Sequence, residues 1–350
     1  MDSMKILLIS PRYHPHIGGV EYVVKSIAER LAKMGHEVTV LAGEPRVEKP
    51  IEEELNRVHI IKWPTWAPAN AYHIPKSKAS FGKLLQELGK DCDVVHVHNA
   101  HAILPVYGGT KLKRCYPNLR LVFTLHYHGT GHAPTRELLW KLYWRRNIAK
   151  LIELANVIHS VSGHEAEKIV SHYPHAKYKL VIIPNGVDED VFQYRWRGQN
   201  SNYMMYAGRI ERYKNLEKTI DLAKKLKLEV LIIGLGPHLK KLMNYADKTY
   251  KNKVKFLSPQ PRNKYLELLS RARYAVNLSE KEAYSIFIAE ALAMSAPAIV
   301  SKTLFKAWAS YCSNAFENLD SYVTIMGCID AKNLGWESIA KNYINKLYVV

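Results

Sequence analysis

The chain has little cysteine and no long apolar run, and several familiar nucleotide motifs are missing. Four cysteines in 350 residues, Cys92, Cys115, Cys312 and Cys328, are scattered without a close pair or a metal-ligand spacing. That argues against a disulfide scaffold and a zinc module and suits a reducing compartment. No apolar run approaches the ~18 residues that cross a bilayer, and Ile6 to Ile9 is too short for a signal-peptide core. There is no G-x-G-x-x-G and no G-x-x-x-x-G-K-[ST], so neither a dinucleotide dehydrogenase nor a P-loop NTPase is supported. The run HVHNAH, with His96, His98 and His101, matches no zinc pattern, and these histidines are read as surface or structural. Acidic residues are also few: 32 against 50 Lys and Arg, a formal net charge of +18. Such a balance implies an anionic partner without choosing among nucleic acid, a membrane surface and phosphorylated substrates.

What is present is ordinary globular composition, 47% hydrophobic and 23% charged, in a chain long enough for two cores. Short apolar runs at Lys5–Ile9, Val38–Leu41, Val58–Ile61, Val94–Val97, Leu121–Leu125, Val157–Val161 and Leu180–Ile183 alternate with helical stretches. The first helix is Val20–Met34, stopped by Gly35. The alternation resumes at Tyr203–Ala207, Glu229–Gly234, Val254–Leu257, Tyr274–Leu278 and Ala298–Val300. Between the two series, Asn185 to Asn202 is polar and turn-rich. The expected architecture is α/β: two tandem Rossmann-like domains facing each other across a cleft, spanning 1–187 and 188–335, with 336–350 crossing back onto the first.

Ligands in such sheets bind at the carboxyl ends of strands, so residues just after each strand are the candidates. Gly18 and Gly19 close the first strand-to-helix loop, where backbone N–H groups can approach a phosphate. His126 follows the strand Leu121–Leu125 and can hydrogen-bond a sugar hydroxyl. Arg209 and Lys214 follow Tyr203–Ala207; a planar fork and a mobile point charge suit a diphosphate, while a solvated basic loop is the plainer reading. Gly234 repeats the strand-glycine-helix arrangement. Glu282 and Glu290 stand eight positions apart across a loop-to-helix junction. The N–H groups of Tyr284, Ser285 and Ile286 at that helix start form an anion site flanked by two carboxylates, which suits a phosphate with sugars on either side. Taken alone, the pair reads more readily as a solvated Glu282 and a helix-surface Glu290.

As an ordered set, PRYHPHIGGVEYVVKSIAERLAKMGHEVTVL, TLHYHG, PNGVDEDVF, AGRIERYKNL, IGLGP and the Glu282–Glu290 pair resemble the GT4 family of retaining glycosyltransferases with the GT-B fold, over about 300 residues. The resemblance implies transfer of a hexose, with retention and without a metal or other cofactor, from a UDP- or GDP-linked nucleotide sugar to a glycan or lipid-linked acceptor. It implies that Arg209 and Lys214 hold the diphosphate, Glu282 contacts the sugar, Glu290 binds the ribose hydroxyls, Gly19 admits the phosphates, and His126 belongs to the acceptor-side pocket. The base would lie near Leu257 to Gln260. Two departures stand out: Ala283 and Ser285 flank Tyr284 where the family has glycines, and KTLFKAWASYCSNAFENLDSYV follows Ser301 in place of a glycine-rich turn. The segment 136–150, RELLWKLYWRRNIAK, interleaves Trp140, Tyr143 and Trp144 with basic residues; it suits either an anionic membrane surface or packing on its own domain. The expected location is cytoplasmic, peripheral at the inner face of the cell membrane. A degenerate GT-B protein that binds a nucleotide sugar or a protein partner without turnover is the competing reading. No specific nucleic-acid partner is expected, since the basic residues are dispersed and no recognition module is present.

Overall fold

The computed structural model describes residues 3–16, 18–68, 72–127, 144–317, 322–328 and 331–349. The basic and aromatic stretch 136–143 lies outside them. Its continuation, the helix Arg145–Leu154, buries Ile148, Leu151 and Ile152 and exposes Arg146 and Lys150. The chain divides into two compact units, Met1–Pro184 with Ile339–Val350, and Asn185–Ser338. No helix among the described residues is long and apolar enough to cross a membrane.

In the first unit the strands are β1 (Lys5–Ser10), β2 (Glu37–Glu44), β3 (Ile51–Leu55), β4 (Val58–Trp66), β5 (Ile74–Pro75), β6 (Val94–His98), β7 (Arg120–Thr124), β8 (Val157–Ser160) and β9 (Leu180–Ile182). Their order is β3-β4-β2-β1-β6-β7-β8-β9, with β5 beside β4. All pairings except β3–β4 and β4–β5 are parallel. Near-continuous apolar runs such as Ile6 to Ile9 are what a strand covered on both faces requires, and these four residues are at most 2% exposed. The edge strand β3 was not expected, because IEEEL has no apolar alternation. Asn56 and Arg57, both at positive φ (52° and 66°), form the tight turn that folds it against β4. Its glutamates stand exposed at the sheet edge, where charge opposes further strand pairing.

The second unit contains β10 (Tyr203–Ala207), β11 (Glu229–Ile233), β12 (Val254–Leu257), β13 (Tyr274–Asn277), β14 (Ala298–Val300), β15 (Cys312–Glu317) and β16 (Val323–Cys328), in the order β12-β11-β10-β13-β14-β16-β15. The first five strands are parallel; β16 and β15 add an antiparallel hairpin beyond β14. The stretch after Ser301 therefore forms a short helix, Lys302–Trp308, and this hairpin. Ser301 caps the helix by accepting from Leu304 N at 3.1 Å. Trp308 is fully buried and meets the Tyr284 ring at a centroid distance of 4.6 Å. An aromatic pair thus fills this part of the core, an arrangement worth about 0.5–1.5 kcal/mol beyond its buried area.

Strand order reverses in each sheet, between β1 and β6 in the first unit and between β10 and β13 in the second. Loops leaving the two strands on either side of such a reversal diverge and open a crevice at the carboxyl ends. The loop after β1 carries Gly18 and Gly19. The loops after β10 and β13 carry Arg209 and Lys214, and Glu282.

Candidate functional site

The second unit brings Lys214 and Glu282 into contact. Lys214 Nζ donates to Glu282 Oε1, and the two side chains are only 14% and 10% exposed. Glu282 Oε2 accepts from Asn277 Nδ2 at 2.9 Å, and the same amide reaches Ser285 Oγ at 3.0 Å. Asn277 ends β13 and ties the strand, the Glu282 loop and the helix start together; strand-to-helix spacing gave no sign of this role. Burial lowers the Lys214 ammonium to about 8, with Glu211 opposing and Arg209 reinforcing the shift. Arg209 remains 56% exposed and pairs with Glu211. A cation held among carboxylates beside an open guanidinium can exchange those partners for a diphosphate.

Glycines bring these loops together. Gly208 and Gly234 have φ of +151° and +152°, and a Cβ on Gly234 would collide with the carbonyl oxygen of Gly208. Gly208 N donates to Ile233 O at 3.0 Å and Ile210 N to Leu235 O at 2.8 Å, so the loop after β11 packs directly on the loop bearing Arg209. In this structure Gly234 positions the cationic loop.

The helix Ile286–Ala293 starts where the sequence puts it, with Ser285 as its extended N-cap residue. The Tyr284 hydroxyl donates to Asn185 O at 3.0 Å, and its ring packs inward on Trp308. The helix is apolar around its circumference and buried from Phe287 to Leu292. Glu290, 3% exposed, therefore sits inside protein and must be paired. Arg262 Nη1 and the Tyr265 hydroxyl supply the partners, one to each carboxylate oxygen. Burial still raises the Glu290 carboxyl above its usual range, against the pull of Arg262 and Tyr265. Position after a strand could not find Arg262 and Tyr265, since both lie on a helix far from Glu290 in sequence.

The first unit holds the remaining candidates. Gly18 is the extended residue before the helix Gly19–Lys33, and a Cβ there would collide with the Glu21 carboxylate, which Arg12 holds through Nε at 2.8 Å. A Cβ on Gly19 would meet nothing within 4 Å, so protein packing does not demand that glycine. His126, at φ 48° and 7% exposed, has Nε2 3.4 Å from His98 Nδ1. His98 packs 4.1 Å from His96, ring centroid to centroid, and His96 bonds Tyr348 Oη at 2.8 Å and Thr124 Oγ1 at 2.6 Å. Thr124 Oγ1 also contacts His159 Nδ1 at 2.7 Å. His96 and His98 are thus interior groups beneath His126. Among the described residues no cluster of three or more His, Cys, Asp or Glu could hold a metal ion.

The profile described as Glycosyltransferase Family 4 matches residues 17–191, and that described as Glycosyl transferases group 1 matches residues 186–307. Among curated proteins, the O-antigen chain mannosyltransferase C of Escherichia coli is 25% identical over 247 residues, covering 67% of this chain and 62% of that protein. Among solved structures, sucrose-phosphate synthase of Thermosynechococcus elongatus superposes with a TM-score of 0.69 at 18% identity, covering 99% of this chain and 91% of that one. Anabaena HepE in complex with UDP and glucose gives 0.65 at 15% identity, covering 99% and 92%. With two Rossmann-like α/β units and both profiles matched in order, the chain belongs to the family 4 glycosyltransferases of the GT-B fold.

Proposed function

We propose that the chain is a retaining, metal-independent hexosyltransferase that takes its sugar from a UDP- or GDP-linked donor and passes it to a glycan or lipid-linked acceptor. The observation that carries this reading is the meeting of Lys214, Glu282 and Asn277 at the strand-order reversal of the second unit, beside an open Arg209. The relatives lend support: one is named for mannosyl transfer to O-antigen chains, and HepE was solved with UDP and glucose.

In this reading the donor diphosphate takes Arg209 and Lys214 from their carboxylate partners. Glu282 is then free to accept hydroxyl hydrogens from the sugar, with Asn277 fixing its second oxygen. Glu290 accepts from the ribose hydroxyls, and Gly19 lets the loop after β1 approach the phosphates. The N–H groups at Tyr284, Ser285 and Ile286 add to the anion site, Gly18 shapes the loop, and His126 serves the acceptor side. As the glycosidic bond breaks, the two cations stabilise charge developing on the leaving diphosphate, and its departing oxygen takes the proton of the incoming acceptor hydroxyl. A lipid-linked acceptor would bring the protein to the inner membrane face, with 136–150 as its contact.

The test is a thermal-shift panel of UDP, GDP, ADP and their sugar conjugates on the wild type and on an Arg209→Ala, Lys214→Ala double variant. One nucleotide family should stabilise the wild type, by about 2.7 kcal/mol at 100 times its Kd, and leave the variant unmoved. No shift with any nucleotide overturns the reading in favour of a partner-binding protein. A shift without sugar transfer to any acceptor removes the turnover and keeps the binding.

A further inference from the structure

The groups set against Glu290 come from the helix Arg262–Arg271 and from the chain around the turn Glu189–Gln193. The helix Arg262–Arg271 supplies Arg262 and Tyr265, whose hydroxyl donates to Glu290 Oε2 at 2.5 Å. The turn Glu189–Gln193 supplies Asp190, which accepts from Arg262 Nε and Nη2 at 3.0 and 2.9 Å. Asp188, just before that turn, opposes a charge on Glu290. The strands β13, β14 and β16, against which the Glu290 helix packs, carry no charged side chain, and Lys332 on the turn Ala331–Leu334 is exposed. Arg262 is thus the cation that answers the buried carboxylate. Asp190 grips it from the other side in a bidentate pair, which fixes the guanidinium plane. The Tyr265 ring lies 5.6 Å from the guanidinium carbon and restricts it further.

A carboxylate presents about four acceptor positions. Arg262 and Tyr265 use one on each oxygen, which leaves each oxygen able to accept once more. A protonated carboxyl would instead turn one oxygen into a donor and lose the symmetric pair of acceptors that a vicinal diol requires. We propose that Arg262 is the positioning residue of the donor's ribose site: pinned by Asp190, it keeps Glu290 ionised and oriented so that its two oxygens accept the 2′ and 3′ hydroxyls. This deepens the ribose role given to Glu290 above and rests on it. Without Arg262 the buried carboxylate faces no other cation among the described residues and takes up a proton at higher pH.

Calorimetric titration from pH 5.5 to 8.5 with UDP, GDP and ADP, and with the 2′-deoxy form of whichever binds, tests the inference. The proteins are the wild type and the variants Arg262→Gln, Arg262→Lys and Glu290→Gln, each checked for fold by circular dichroism. In Arg262→Gln, affinity for the ribonucleotide should fall about tenfold per pH unit on the acid side, starting at a higher pH than in the wild type. Arg262→Lys, which keeps the charge without the fork, should move the acid limb back toward the wild-type position at an intermediate affinity. A profile for Arg262→Gln parallel to the wild type, even at lower affinity, would make Arg262 a structural residue and overturn the inference. If Glu290→Gln binds as tightly as the wild type and discriminates equally against the 2′-deoxynucleotide, the ribose reading itself fails. Binding of none of the three nucleotides to the wild type overturns both.

Discussion

Lys214 is the residue at which burial and function pull in opposite directions. Burial lowers its ammonium to about 8, while holding a diphosphate requires the charge. The profile of kcat/KM for the donor reports the free enzyme, so it should fall as pH rises through about 8, by up to tenfold per unit. Lys214→Arg cannot lose its charge in this range and should flatten that alkaline limb while lowering the plateau, because a planar fork replaces a point charge. An unchanged alkaline limb in the arginine variant would assign the titration elsewhere. How legible such residues are depends on where their partners lie. Arg209, Lys214 and Glu282 could be read because each follows a recognisable apolar strand. Asp190 and Arg262 could not, since they lie 72 positions apart and meet only when the turn before β10 packs against the helix after β12. Asn277 was hidden for another reason: as the last residue of β13 it reads as strand, yet its amide binds both Glu282 and Ser285.

Elements show the same division. The parallel strands were legible because strands covered on both faces leave continuous apolar runs. Edge elements, partly exposed and charged or mixed, leave no such run, and β3, β15 and β16 went unread for that reason. Loops are held by packing as much as by their own sequence. The loop bearing Arg209 and Lys214 is pinned by the loop after β11, through Gly208, Ile210 and Gly234. Gly234→Ala should therefore destabilise by more than about 1 kcal/mol, since a side chain there is strained at φ +152° and also meets the Gly208 carbonyl. It should weaken nucleotide binding as well, because the cationic loop must shift. Gly19→Ala, at an open position, should leave the melting temperature within about 1 °C of the wild type, which corresponds to a few tenths of a kcal/mol or less. Chemical denaturation of the two variants side by side makes the comparison, and equal stability of both would contradict the packing account.

At the scale of the whole molecule the two units differ in their response to acid. All but His238 of the sixteen histidines lie in the first 184 residues. Burial lowers His73 and His159 to about 4, and His96 and His98 well below their usual value. Between the ordinary value near 6.5 and these depressed values, the unfolded chain binds protons that the native unit does not, so stability must fall as pH falls through that window. For His73 and His159 the cost is about 1.4 kcal/mol per pH unit, on the order of 2 kcal/mol each by pH 5, and His96 and His98 act in the same direction. The same interior closes the fold: Tyr348, from the chain terminus, bonds His96, and Arg120 Nε donates to Leu347 O at 2.6 Å. Protonation beneath His126 therefore also loosens the segment Ile339–Val350, which belongs to the first unit. Limited proteolysis at pH 7 and pH 5, read by mass spectrometry, should show cleavage within 3–184 and 339–349 rising at pH 5 before cleavage within 185–338. Acid cleavage that begins in the second unit would mean that the buried histidines of the first unit do not set the acid limit of the molecule.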